Sequence, residues 1–239
     1  MERQLLNGHK MIIITGASKG VGRFLFSKFK QENIEVIGTY NSTQEGIEKD
    51  LTNYYQVDIT DYKAVESWIV SIKASLKEIV LLNCAGISYN SYAHKADIDK
   101  WNKVIEVNLN GTFNVIRNIL PIMREQSYGR IINFSSIVTS LPTPGVSAYA
   151  ASKAGLIGLT KSLAVENASK RITVNAINLG YANIGMGLND VPLENQEILK
   201  SKIPAGRFCD PEEVYNTIRF LIDTEYVNGS ILDINGGLI

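Results

Sequence analysis

Short apolar runs alternate with longer stretches of helical period along the chain. The runs Met11–Ile14, Ile34–Gly38, Ile79–Leu82, Arg130–Phe134, Ile172–Ile177 and Ser230–Ile234 read as strands, with Tyr54–Val57 as a weaker seventh. Several are apolar throughout, the pattern of parallel strands covered on both faces. Between them, Val21, Phe24, Leu25 and Phe29 share one helical stripe, and Val65, Trp68, Ile69, Ile72 and Leu76 share another. Thr60 stands where an N-cap would start that second helix. Helices are also predicted over Asp97–Met123, Tyr149–Ala168 and Pro211–Leu221. This alternation predicts an α/β fold, a doubly wound seven-stranded parallel sheet with helices on both faces. Ligands of such sheets bind at the carboxyl ends of the strands. No repeat or linker divides the sequence, so residues 1–239 are expected to form a single domain.

Composition narrows the choices. The chain has 239 residues, and Lys+Arg 24 balance Asp+Glu 24 to a formal net charge of 0. Nucleic-acid and basic membrane-surface binders need a positive field, so neither partner is expected. No strongly apolar run exceeds four residues, against the roughly 20 that a membrane span requires. The opening Met-Glu-Arg-Gln-Leu-Leu-Asn-Gly lacks the grading of a secretion signal, and a cytoplasmic protein is expected. Cys84 and Cys209 are too few for a disulfide framework, and His9 and His94 have no ligand-spaced companions, so no metal site is expected.

The first candidate chemistry follows the first strand. Thr15-Gly16-Ala17-Ser18-Lys19-Gly20-Val21-Gly22 runs straight into an amphipathic helix. Glycines at 16, 20 and 22 permit a tight turn and bring backbone N–H groups to a helix N-terminus, where a pyrophosphate can bind. The spacing differs from G-x-G-x-x-G. Thr-Gly-x-x-x-Gly-x-Gly in this position resembles the short-chain dehydrogenase/reductase family, which implies an NAD(P)-binding Rossmann domain.

Further matches lie downstream. Tyr149, Lys153, Leu156, Thr160 and Leu163 fall at steps of 4, 3, 4 and 3, one face of a helix. A lysine on that largely apolar stripe is costly unless its charge is paired or used. Asn108, near one face with Trp101, Val104 and Ile105, is a polar amide among core residues and needs partners. Taken singly, these also fit a snorkelling lysine and a satisfied core amide. Together they match the family. Tyr149-Ala-Ala-Ser-Lys153 is its Tyr-x-x-x-Lys, Asn108 its active-site asparagine, and Ser136 precedes Tyr149 by the usual 13 positions. Ser135 stands one place too early.

The resemblance implies a division of labour. Tyr149 exchanges the proton and Lys153 lowers its pKa. Ser136 holds the substrate oxygen, and Asn108 holds a water linking Lys153 to solvent. It also implies cofactor contacts from Gly16, Ser18, Lys19, Gly20, Val21, Asn41, Ser42, Asp58, Ile59, Asn83, Ala85, Gly86, Gly180 and Ala182, beside Tyr149 and Lys153. Asp58 would meet the adenine. Cys84, within Asn83-Cys84-Ala85-Gly86, reads as a small buried hydrophobe. Glu35 lies at the start of the second strand, while its end, Thr39-Tyr40-Asn41-Ser42, carries no acid to repel a 2′-phosphate. With Lys19 before Gly20, NADP(H) is the preferred cofactor and NAD(H) the alternative.

The family's Pro-Gly-x-x-x-Thr is here Leu179-Gly180-Tyr181-Ala182-Asn183-Ile184. Residues 183–203, with Gly185, Gly187 and Pro192, read as a lid over the substrate. A loop with Leu141, Pro142 and Pro144 would form another pocket wall. Within the family the chain is most similar to 3-oxoacyl-acyl-carrier-protein reductases, including at Ile203-Pro204-Ala205-Gly206-Arg207. Those carry basic residues at the positions of Ser127 and Lys170 for an acidic carrier; Arg124, Arg130 and Arg171 are candidates to compensate for Ser127. The expectation is an NADPH-dependent reductase of a 3-oxoacyl thioester, a small-molecule carbonyl that a carrier protein can bear. A sugar, polyketide or other secondary-metabolite ketone is the alternative. An alcohol dehydrogenase working in the oxidative direction fits the missing acid less well, and a silent dinucleotide-binding regulator fits the complete catalytic set less well. Ala150, Ala151, Ala154, Gly155 and Gly158, with family habit, point to a homotetramer.

Overall fold

The computed structural model describes residues 10–42, 52–186 and 192–238. The N-terminal segment through His9, and residues 187–191 of the expected lid with Gly187, lie outside the described residues. Seven strands, β1 (Ile12–Thr15), β2 (Val36–Tyr40), β3 (Tyr54–Gln56), β4 (Val80–Asn83), β5 (Gly129–Ser136), β6 (Ile172–Leu179) and β7 (Ile231–Ile234), form one sheet in the order β3-β2-β1-β4-β5-β6-β7. Every pair is parallel. The order turns outward in both directions from β1 and β4, which opens a crevice at their carboxyl ends.

Side-chain alternation explains the two layers of helices. Ile13, Leu81, Ile131 and Val174 point to one face, where they join α2 (Tyr62–Ile72), α4 (Thr112–Gln126) and Leu163 and Ala164 of α5 (Ser147–Asn167). Ile12, Ile14, Val80, Leu82, Ile132 and Phe134 point to the other, against Leu25, Phe26 and Phe29 of α1 (Gly20–Gln31) and Val214, Ile218 and Leu221 of α7 (Pro211–Asp223). The strands therefore carry apolar residues at consecutive positions because both faces are covered.

Four features differ from the sequence expectation. Thr60 does not cap α2; Asp61 does, accepting from the N–H groups of Lys63 and Ala64. Thr60 instead turns its hydroxyl and N–H to Asp58. The expected helix over Asp97–Met123 is divided into α3 (Ile98–Ile105), a π-helical turn over Glu106–Gly111, and α4. The strands β5 and β6 run past their apolar stretches, pairing as far as Ser136 with Leu179, because buried bonds satisfy the polar residues there. Part of the expected lid is regular helix, α6 (Leu193–Lys202). Among the described residues no helix is long and apolar enough to cross a membrane.

Candidate active site

A cleft of about 590 Å³ lies along the carboxyl ends of β1, β2, β4, β5 and β6. It is lined by Gly16, Ser18, Lys19, Gly20, Val21, Asn41, Ser42, Asp58, Ile59, Ala85, Gly86, Ser136, Tyr149, Lys153, Gly180 and Ala182. Of the residues singled out from the sequence, Asn83 and Asn108 stand behind this surface.

The glycine loop owes its path to sterics. Gly16 has φ +68, and a Cβ there would stand 2.7 Å from the Ala85 Cα; one on Gly22 would stand 2.4 Å from the Gly16 carbonyl oxygen. The loop is pinned by the Ala17 N–H, which donates to the Thr39 carbonyl at 2.8 Å. Ala85 N–H donates to the Thr15 hydroxyl at 3.2 Å and ties β1 to the loop after β4. At the start of α1, Lys19 makes no side-chain cap and the first turn holds no acid. Its N–H groups are thus left to an anion, and the bare backbone gives room for a pyrophosphate to approach.

Farther along, Asn41 and Ser42 meet Asp58 and Ile59. Burial works to raise the Asp58 carboxyl; hydrogen bonds from Thr60 and Asn41 and the charge of Lys103 outweigh it and hold it below the usual carboxylate range. Lys103 lines the same end of the cleft. Nothing in its spacing marks it, since α3 and the turn after β3 meet only in three dimensions.

At the other end, α5 carries Tyr149 and Lys153 one turn apart. Lys153 is 4% exposed, and its Nζ donates to the Phe134 carbonyl at 2.7 Å. Burial lowers its pKa to about 8, with nearby Cys84 acting weakly in the opposite direction. Its Nζ lies 5.5 Å from the centroid of the Tyr149 ring. Burial pushes the Cys84 thiol up, although the residue is half-buried and lines the cleft, not enclosed as expected. Ser136 ends β5 at the cleft. The Ser135 hydroxyl is directed to the Lys153 carbonyl at 3.1 Å, so the two serines have different surroundings despite adjacent positions.

Asn108 sits in the π-helical turn, fully buried. Its Oδ1 accepts from the Ile87 N–H at 2.8 Å, and its Nδ2 donates to the Ile87 carbonyl at 2.9 Å and the Ser152 hydroxyl at 3.0 Å. The side chain therefore clamps the loop after β4 to α5 beside Lys153. Asn83 donates to the Asn133 side chain at 2.8 Å, inside the sheet layer and off the cleft surface. Its expected cofactor contact has no side-chain counterpart in the cleft lining.

The remaining walls are partly as expected. Ile184, Gly185 and Met186 border the cleft, and the Ala182 strand segment is bridged to Cys209. The loop after β5 contributes Thr143 and Val146 to the wall, in place of Leu141, Pro142 and Pro144. The compensating arginines are already engaged. Arg171 holds Glu225 at 2.9 and 3.1 Å; Arg130 is buried and donates to the carbonyls of Ile222, Gly129 and Arg171; Arg124 donates to the Asn167 side chain at 2.7 Å. Arg130 is withdrawn from the surface by its burial, which corrects its part in the expectation, whereas Arg124 and Arg171 stay exposed beside these contacts.

Known proteins resemble this chain over most of its length. The short chain dehydrogenase family profile matches residues 10–192. The 3-oxoacyl-acyl-carrier-protein reductase of Escherichia coli (strain K12) is 34% identical over 241 residues, covering 96% of this chain and 97% of its own. That of Thermotoga maritima is 37% identical over 242 residues, covering 96% and 98%. The acetoacetyl-CoA reductase of Shinella zoogloeoides is 36% identical over 237 residues, covering 95% and 98%.

Proposed function

The chain belongs to the short-chain dehydrogenase family, an oxidoreductase acting on CH–OH/C=O groups, and from that premise we propose that it reduces the ketone of a 3-oxoacyl thioester to a secondary alcohol with NADPH. The observation that carries the proposal is the convergence of Tyr149, Lys153 and Ser136 on one cleft with the glycine loop. The names of the similar reductases support the thioester. The lining of the substrate end, with Ile87, Val138, Val146 and Met186 beside Ser88 and Thr143, suits a short acyl group.

In this reading, Gly16, Ser18, Gly20 and Val21 hold the pyrophosphate, and Asp58 with Ile59 holds the adenine. Lys19, Asn41 and Ser42 receive the 2′-phosphate, while Ala85, Gly86, Gly180 and Ala182 line the nicotinamide end with Tyr149 and Lys153. The bound nicotinamide supplies the hydride. Ser136 donates a hydrogen bond to the substrate oxygen as charge develops there. Tyr149 gives that oxygen its proton. A tyrosine hydroxyl near pKa 10 does this readily only beside a cation, and Lys153, anchored by the Phe134 carbonyl, provides one. Asn108 acts by fixing Ile87 and Ser152, and its main chain would hold the water that returns a proton to Lys153. Ile184, Gly185 and Met186, from the expected lid, stand beside the substrate end.

We place the enzyme in the cytoplasm and as a homotetramer. A carrier-linked thioester and the coenzyme A thioester share the reacting group, and the similar reductases include one named for each. Acetoacetyl-CoA reduction with each cofactor tests the proposal. NADPH is expected to give kcat/KM at least about tenfold above NADH, the worth of roughly one charge-assisted contact to the 2′-phosphate. Equal values would contradict the cofactor assignment, and no oxidation of either would contradict the reaction.

A further inference from the structure

Ser136 stands where the sheet stops holding the backbone. It is the last residue of β5 paired to β6, opposite Leu179, and a 3-10 turn over Ile137–Thr139 follows at once. The contact that its own hydroxyl accepts from the Val138 N–H is long, at 3.4 Å. A reaction that needs this hydroxyl in one place requires something else to fix the turn.

A line of side chains runs behind it. The Thr139 hydroxyl donates to the Ser136 carbonyl at 2.9 Å and lies 3.1 Å from Asn178 Oδ1. The single hydroxyl proton is shared between these two carbonyl-type acceptors. Asn178 is 2% exposed and sits on β6 between Ser135 and Asp233 in register. Its Nδ2 donates to Asp233 at 2.6 Å and to the Ser140 hydroxyl at 3.4 Å. An ionised carboxylate only accepts, so Asp233 turns the amide nitrogen toward itself and leaves the amide oxygen facing Thr139. A buried amide at the end of an apolar strand is costly unless bonded, and every bond this one makes leads to the Ser136 turn or to its anchor on β7.

We propose that Thr139 and Asn178 are positioning residues for Ser136. Asp233 orients the Asn178 amide, Asn178 and the Ser136 carbonyl hold the Thr139 hydroxyl, and Thr139 fixes the main chain from which the Ser136 hydroxyl projects. The proposal rests on the reductase reading given above and adds residues that do not touch the substrate.

Thr139→Val keeps the shape and removes the hydroxyl, whereas Thr139→Ser keeps the hydroxyl. With acetoacetyl-CoA and saturating NADPH, Thr139→Val is expected to lower kcat about tenfold, as loss of one positioning hydrogen bond permits. The NADPH dissociation constant, read by fluorescence titration, should stay unchanged. Thr139→Ser should restore most of the turnover. Asn178→Ala should lose as much as Thr139→Val, with no further loss in the double variant, because the two act as one unit. If Asn178→Ala does not fold, the Thr139 pair alone decides. Wild-type kcat in Thr139→Val, equal losses in Thr139→Val and Thr139→Ser, or a parallel loss of NADPH affinity would overturn the proposal. Ser136→Ala, measured alongside, separates the two levels. Full turnover there removes Ser136 from the reaction and this proposal with it. An impaired Ser136→Ala beside a fully active Thr139→Val overturns the positioning alone.

Discussion

Lys153 shows how one residue couples stability to chemistry. Its place on an apolar helical stripe made it conspicuous in the sequence; what the spacing did not contain was the Phe134 carbonyl that receives its Nζ at 2.7 Å. Burial lowers its pKa from 10.5 to about 8. Below about 8 the amine is protonated in folded and unfolded chains alike, and the burial cost is present in full. Between about 8 and 10.5 the unfolded chain binds the extra proton, so the cost is relieved as pH rises. Chemical denaturation of wild type and Lys153→Met should therefore show the difference moving in favour of wild type by roughly 3 kcal/mol from pH 7 to pH 10.5. A difference that stays constant would mean that Lys153 is not desolvated. Other residues were less legible. Ser135 and Ser136 differ only in which way a strand end turns them, and Lys103 and Thr139 gain their places from elements distant in sequence.

Elements were legible where burial governs them. The strands β1, β2, β4, β5 and β6 were readable because both faces are covered, whereas the edge strands β3 and β7 are only half-buried and give a weaker pattern. The helix expected over Asp97–Met123 failed where side-chain chemistry overrides period: Asn108 must reach both backbone groups of Ile87, and the chain accommodates it with a π-helical turn. The small residues of α5 also divide on inspection. A Cβ on Gly155 would stand 2.8 Å from Leu109, so that glycine serves packing within the chain, whereas one on Gly158 would meet nothing within 4 Å. Ala151, Ala154, Gly158 and the 83%-exposed Val165 form an open stripe on the same helix. In the proposed homotetramer this stripe is the surface that would meet a second copy. Light scattering should give four times the mass of one chain for wild type and a smaller species for Val165→Glu, since a buried unpaired charge opposes association. An unchanged mass in the variant would move the interface elsewhere.

At the scale of the whole molecule, strand–helix alternation was enough to predict a doubly wound parallel sheet, since right-handed crossovers leave few topologies, while the order β3-β2-β1-β4-β5-β6-β7 is seen only in the structure. The cleft follows from that order, as does the meeting of Gly16 and residues 18–22 with Ser136, Tyr149 and Lys153 within it. Charge was harder to interpret from the sequence. A net charge of 0 says nothing of the internal pairing of Arg124, Arg130 and Arg171, which appears only when their acceptors are seen. The central claim, that this assembly moves a proton through Tyr149 while the glycine loop holds the cofactor, is tested most directly by Tyr149→Phe. NADPH oxidation in the presence of acetoacetyl-CoA and NADPH binding by fluorescence should be measured on the same preparation. The account predicts a dissociation constant like that of wild type and a kcat lower by at least about a hundredfold, the range of a lost general acid. Wild-type turnover in Tyr149→Phe would contradict it.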